Sequence, residues 1–143
     1  MLILWNHGGG WRDMQNETDD NLRGISWDLT SGNDYLEMRE VKSALHSSIQ
    51  KMDVIGFDAC LMGMLEIAYQ IKDEVKDVAI FSQDVEPGDG WDYSEFFKLL
   101  KNNPNVQSEE IAKFVTKTYQ QSYQEANTTI SAVKLSGIPS LKN

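Results

Sequence analysis

Apolar positions fall along this chain in short unbroken runs that alternate with stripes at helical spacing. "LILW" at 2–5, "DVIGF" at 53–57, "VAIFS" at 78–82 and "TISAVKL" at 129–135 read as buried strands. Met38, Val41, Leu45 and Ile49 predict an amphipathic helix over 35–51, with Asp34 and Glu37 as the two members of a capping box. Residues 61–73 are apolar nearly all round (Leu61, Met62, Met64, Leu65, Ile67, Ala68, Ile71) and predict a deeply buried helix beginning straight after Cys60. Asp92 and Glu95 predict the cap of a short helix to about residue 101. Ser108 predicts the cap of a longer one, striped by Ile111, Val115, Tyr119 and Tyr123. The stretch 11–35 is polar, carries Gly24 and Gly32, and reads as a long loop.

Strands that are continuous apolar runs, alternating with helices, point to an α/β fold with a parallel sheet covered on both faces. Sites in such folds form at the carboxyl ends of strands. His7, Cys60 and the loop "QDVEPGDGW" all fall there.

The chain has 143 residues and 41% hydrophobic content, enough for the core of one domain. Its net charge of -9 argues against nucleic-acid binding through a basic face. The excess of acids suits basic substrates, although surface carboxylates often do no more than solubilise. No apolar run approaches the roughly 20 residues that cross a bilayer. Nothing resembling a signal peptide precedes the first strand. One cysteine excludes an intramolecular disulfide, and with only two histidines no cysteine–histidine zinc set assembles.

His7 and Cys60 end the first and second predicted strands. If those strands are parallel neighbours, a thiolate nucleophile and an imidazole meet at one sheet edge. A helix starting at Cys60 would further favour the thiolate. Gly8 and Gly9 leave backbone uncovered beside the histidine. The N–H of Gly8 and that of Cys60 are therefore candidate donors to a developing oxyanion. Each residue also has a plainer reading: a lone cysteine is usually inert core, a histidine at a strand end usually makes a structural hydrogen bond, and three glycines can simply make a turn. What favours chemistry is the coincidence of all of them at one edge.

Asp58 shares a side of its strand with Cys60. It is either the floor of a pocket for Arg or Lys or a carboxylate tied to nearby backbone N–H groups. Asp84, Glu86, Asp89 and Asp92 could deepen such a pocket or offer oxygens to calcium, but their spacing does not match an EF-hand. They are equally compatible with a solvated turn. Trp5, Trp11, Trp27 and Trp91 lie near these loops as cleft walls or as packing.

The stretches "LILWNHGGGW", "DVIGFDACLMGMLEIAYQI" and "SQDVEPGDGW" together resemble the clostripain family of cysteine peptidases. "WDLTSGNDYLEMREVKSAL" and "TISAVKL" fit the same family. The resemblance covers nearly the whole chain. The spacing also fits the wider caspase-like clan, with the histidine roughly 50 residues before the cysteine. It implies a caspase-like three-layer sandwich with a mostly parallel sheet. It implies a His7–Cys60 dyad, cleavage after arginine or lysine through a thioacyl-enzyme, and Asp58 lining the basic pocket. Asp84 and Glu86 are candidates for the second pocket acid by location. No cofactor is needed for that chemistry, and calcium is compatible with it. Autoprocessing in the family makes the bond after Arg23 a candidate cleavage site.

The family has further strands upstream of the histidine strand. The expectation is therefore one peptidase domain over 1–143, shortened at its N-terminus. An unpaired edge at "LILW" would then be open to a partner or a second copy. The alternative is a noncatalytic peptide-binding domain that keeps the acidic pocket, and a weaker one is a calcium-binding module. The expected partner is a peptide with a basic residue before the cut, rather than nucleic acid or membrane. The resemblance implies export from a bacterial cell.

Overall fold

In the computed structural model, residues 1–11, 24–124 and 127–138 are described. A four-stranded sheet has the order β1 (Leu2–Trp5), β4 (Met52–Asp58), β5 (Val75–Phe81), β6 (Ser131–Lys134). The first three strands run parallel, with Trp5 beside Asp58 and Gly56 beside Ile80. β6 runs antiparallel to β5, pairing Ser131 with Phe81.

The reversal at β6 follows from the chain path. Two helices, α3 (Tyr93–Asn102) and α4 (Ser108–Ser122), separate β5 from β6, where one helix would have returned the chain parallel. α4 starts near the foot of β5, where Ser108 Oγ donates to Asp77 at 2.7 Å, and ends near its top, where Tyr123 O–H donates to the Gly90 carbonyl at 2.7 Å. β6 therefore begins at the carboxyl edge and runs down.

Alternation along β4 and β5 divides the core into two layers. Ile55, Phe57, Ala79 and Phe81 pack against α1 (Met38–His46) and α2 (Leu65–Ile71). Val54, Val78 and Ile80 pack against α3 and α4, with Trp91, Phe96, Val115 and Tyr119. This is the expected three-layer α/β arrangement. No helix among the described residues is long and apolar enough to cross a membrane.

Several expected boundaries move. The stretch read as a loop contains a hairpin, β2 (Gly24–Asp28) and β3 (Asp34–Glu37). Fully buried Ile25 ties it to the α1/α2 layer. The capping box sits one turn later than expected: Glu37 is the N-cap and Glu40 its partner. α1 therefore ends at His46, and Ile49 stands fully in solvent. Ser108 is the first residue of α4 rather than its cap, which is Gln107. The N-cap of α3 is as expected, with Asp92 Oδ1 accepting the Glu95 N–H at 3.0 Å.

The expected helix from residue 61 is the larger correction. α2 begins at Leu65, and half-exposed Leu65 and Tyr69 show that it is not buried all round. Residues 61–63 instead lie along the end of β5: Leu61 N–H donates to the Asp84 carbonyl and Gly63 N–H to the Ser82 carbonyl. Only glycine fits at 63, since a Cβ there would stand 2.8 Å from the Ser82 and Gln83 backbone.

Candidate active site

Register brings the predicted residues to one edge. Trp5 of β1 lies beside Asp58 of β4, and His7 and Cys60 each follow two residues later. The segments touch at Gly8, where a Cβ would collide with the Cys60 carbonyl oxygen. Glycine is therefore required for the histidine segment to lie on the cysteine turn. The hairpin braces it from the other side: Gly9 N–H donates to the Gly24 carbonyl at 3.0 Å, and Ser26 N–H to the His7 carbonyl at 3.1 Å. Asn6, Ser26 and Leu61 all take positive φ (114°, 62° and 62°), so unfavourable backbone is concentrated around this edge.

These bonds sort the candidate oxyanion donors. Gly9 N–H is consumed by the hairpin and drops out. The N–H groups of Gly8 and Cys60 have no hydrogen-bond partner among the described residues. Cys60 does not sit at a helix start, so no helix end acts on its thiol. The group at its sulfur is a loop amide: Glu86 N–H donates to Cys60 Sγ at 3.3 Å. His7 is exposed and Cys60 half-buried.

Behind the cysteine, Asp58 is 3% exposed. Its Oδ2 accepts the Trp91 N–H at 3.2 Å and the Tyr93 O–H at 2.6 Å. Gly90, at φ 64°, lies directly against it; a Cβ there would stand 2.7 Å from Oδ2. Glu86 is 8% exposed, and neither of its carboxyl oxygens has a hydrogen-bond partner. Burial, then the neighbouring Asp58, pushes the Glu86 carboxyl up to about 9. Burial and the bond to Asp58 likewise push the Tyr93 phenol up.

Of the candidate pocket acids, the structure brings Asp58 and Glu86 together and leaves Asp84 out. The Asp84 carboxylate is exposed and accepts the Val85 N–H at 2.7 Å, which makes it a turn former. Asp92 is occupied at the α3 cap. Among the described residues no three acidic, histidine or cysteine side chains gather to hold a metal. Trp91 is buried over Gly56 and Trp27 stacks on Tyr35, so both are packing; Trp5 and Trp11 are exposed. Arg12 and Arg23 lie outside the described residues.

Sequence reasoning missed Gly90 and Tyr93 as neighbours of Asp58. The Asp89-Gly90 dipeptide signals a positive-φ turn. Nothing in the local pattern shows that the tyrosine at the start of α3 turns back to Asp58.

The family model described as the clostripain family matches residues 1–143. Clostripain of Hathewaya histolytica is 34% identical over 119 residues, covering 77% of this chain and 22% of the relative. A secreted C11 cysteine protease of Bacteroides thetaiotaomicron, solved with an irreversible peptide inhibitor, superposes with a TM-score of 0.74 at 24% identity over 95% of this chain and 39% of that one. A Bacteroides thetaiotaomicron clostripain solved with the peptide inhibitor BTN-VLTK-AOMK superposes with a TM-score of 0.63 at 19% identity, over 80% of this chain and 49% of that one. The chain thus spans about a fifth of the curated relative's length and less than half of either solved chain.

Proposed function

The chain belongs to the clostripain family, and from that premise we propose that it hydrolyses peptide bonds after arginine or lysine through a thioacyl-enzyme on Cys60. The observation that carries this reading is the pair of buried carboxyl groups, Asp58 and Glu86, packed together with no cation beside them among the described residues. Buried acids are costly unless a positive charge meets them. A substrate guanidinium or ammonium supplies that charge, and the Cys60 turn then faces the carbonyl that follows. The Bacteroides clostripain inhibitor, whose peptide VLTK ends in lysine, is consistent with such a pocket.

In this mechanism the Cys60 thiolate attacks the carbonyl carbon, and the Gly8 and Cys60 N–H groups receive the oxyanion. His7 protonates the departing amine. It then takes a proton from the water that cleaves the thioester, which releases the acid and restores the Cys60 thiolate beside protonated His7. Extracytoplasmic action fits the Bacteroides relative described as secreted.

β1 lies at the sheet edge, which favours a second reading: a peptide-binding piece that keeps the pocket without turnover. Fluorogenic peptides ending in Arg, Lys or Asp, tested beside a Cys60→Ala control, separate the two. Turnover after Arg or Lys that vanishes in the control supports the peptidase. Binding of basic peptides without turnover supports the second reading.

A further inference from the structure

Asp58 and Glu86 share one buried space but are unequally equipped to hold charge. Asp58 has two donors, Trp91 N–H and Tyr93 O–H, and Glu86 has none for its carboxyl. The groups facing the pair are the Trp91 indole, Tyr93 of α3, and Tyr119 and Tyr123 of α4, with Cys60 against the Glu86 main chain and Asp89 and Asp92 near Tyr123. None is a cation, and no ion pair among the described residues includes Asp58 or Glu86. A buried carboxylate pressed against a second one, without a donor, keeps its proton rather than its charge.

We propose that Glu86 is neutral in the empty pocket and that a basic side chain entering the pocket expels its proton, so that each substrate docks with the release of one proton. This rests on the reading of the pocket as a site for basic side chains. The Glu86 O–H bond breaks, the electron pair stays on the carboxylate, and the proton passes to solvent. The arriving cation then meets two negative groups. Burial and the Asp58 charge hold the empty-pocket carboxyl at about 9, so the proton is present at neutral pH. A cation between the carboxyls removes the repulsion and draws Glu86 back toward the ordinary carboxylate range. Apparent affinity for a cation then rises about tenfold per pH unit across the neutral range, the slope that one released proton requires. A neutral side chain gains nothing from the higher pH. Glu86 thus makes the preference for a charged residue sharper in alkaline solution.

The test is calorimetric titration of the intact chain with benzamidine, an amidinium that does not react with thiols, at pH 6, 7 and 8. Each titration is run in two buffers of different ionisation enthalpy. The expected result is about one proton released per benzamidine and about tenfold tighter binding per pH unit. Glu86→Gln should bind with no proton release and a flat pH profile. Because a histidine stands at the same edge, His7→Ala is titrated too and should keep the slope. Binding by the unaltered chain without proton release, a slope that survives in Glu86→Gln, or one lost in His7→Ala overturns the proposal. Absence of benzamidine binding at every pH overturns the basic-pocket reading itself.

Discussion

The Glu86 main-chain N–H donates to Cys60 Sγ at 3.3 Å, while the side chain of the same residue lies buried beside Asp58. One residue therefore touches both the Cys60 sulfur and the Asp58 carboxylate, through different parts of itself. The two roles separate experimentally. Glu86→Ala keeps the main-chain amide and removes the carboxyl. We expect kcat/KM for an arginine peptide to fall by about 2–5 kcal/mol, the usual cost of truncating one side of a buried charge contact. Alkylation of Cys60 by neutral iodoacetamide should stay close to the unaltered rate. A large fall in alkylation would mean that the side chain also holds the sulfur.

Gly90 packs directly against the Asp58 carboxylate. Its φ of 64° and the 2.7 Å approach of a Cβ to Asp58 Oδ2 both oppose any larger residue. Gly90→Ala should cost about 1–3 kcal/mol of stability. It should also lower kcat/KM for basic peptides by roughly ten- to a hundredfold, through displacement of Asp58. Thermal unfolding read beside peptide kinetics checks both effects.

Stability should fall as the solution becomes alkaline. The native chain holds a proton on Glu86, up to about 9, that the unfolded chain loses near the ordinary value of 4.5. The native state binds more protons between those limits, so unfolding free energy declines as pH rises through them. Glu86→Gln removes this dependence. Its unfolding free energy should stay level between pH 5 and pH 8, where that of the parent declines. Urea titrations of both chains at pH 5 and pH 8 measure the difference.

Incubated active chain should be cut after Arg23. Gly24, the next residue, is held against Gly9 beside the histidine segment. Mass spectrometry should then show the two fragments from the active chain and only the intact chain from Cys60→Ala. An intact active chain after long incubation would contradict this expectation.

The parts of the fold that depend on burial were legible in the sequence. Continuous apolar runs marked β1, β4 and β5, and their parallel pairing puts the segments that carry His7 and Cys60 at one edge of the sheet. The elements missed depend on backbone pairing. The β2–β3 hairpin turns through Gly32 and Asn33, both at positive φ, a turn signal submerged in a polar stretch. Residues 61–64 have helical composition, yet Gly63 lets them pair with the end of β5, and sheet pairing wins over propensity.

The site was legible as a set of residue types and opaque in its division of labour. Strand period put Asp58 and Cys60 on one side, whereas β4 ends at Asp58 and Cys60 stands in the turn that follows. Choosing Glu86 over Asp84 requires knowing which loop side chains turn inward, which only the packing of Trp91, Gly90 and Tyr93 around Asp58 decides.

The central claim is that charge in the substrate is read by the buried acids behind Cys60. It is tested most directly by comparing hydrolysis of two fluorogenic peptides that differ only in arginine against citrulline before the cut. Citrulline keeps the shape of arginine and lacks its charge. The predicted result is a kcat/KM at least about thirtyfold higher for the arginine peptide, the low end of a buried charge contact, with both rates lost in Cys60→Ala. Equal rates for the two peptides would contradict the account.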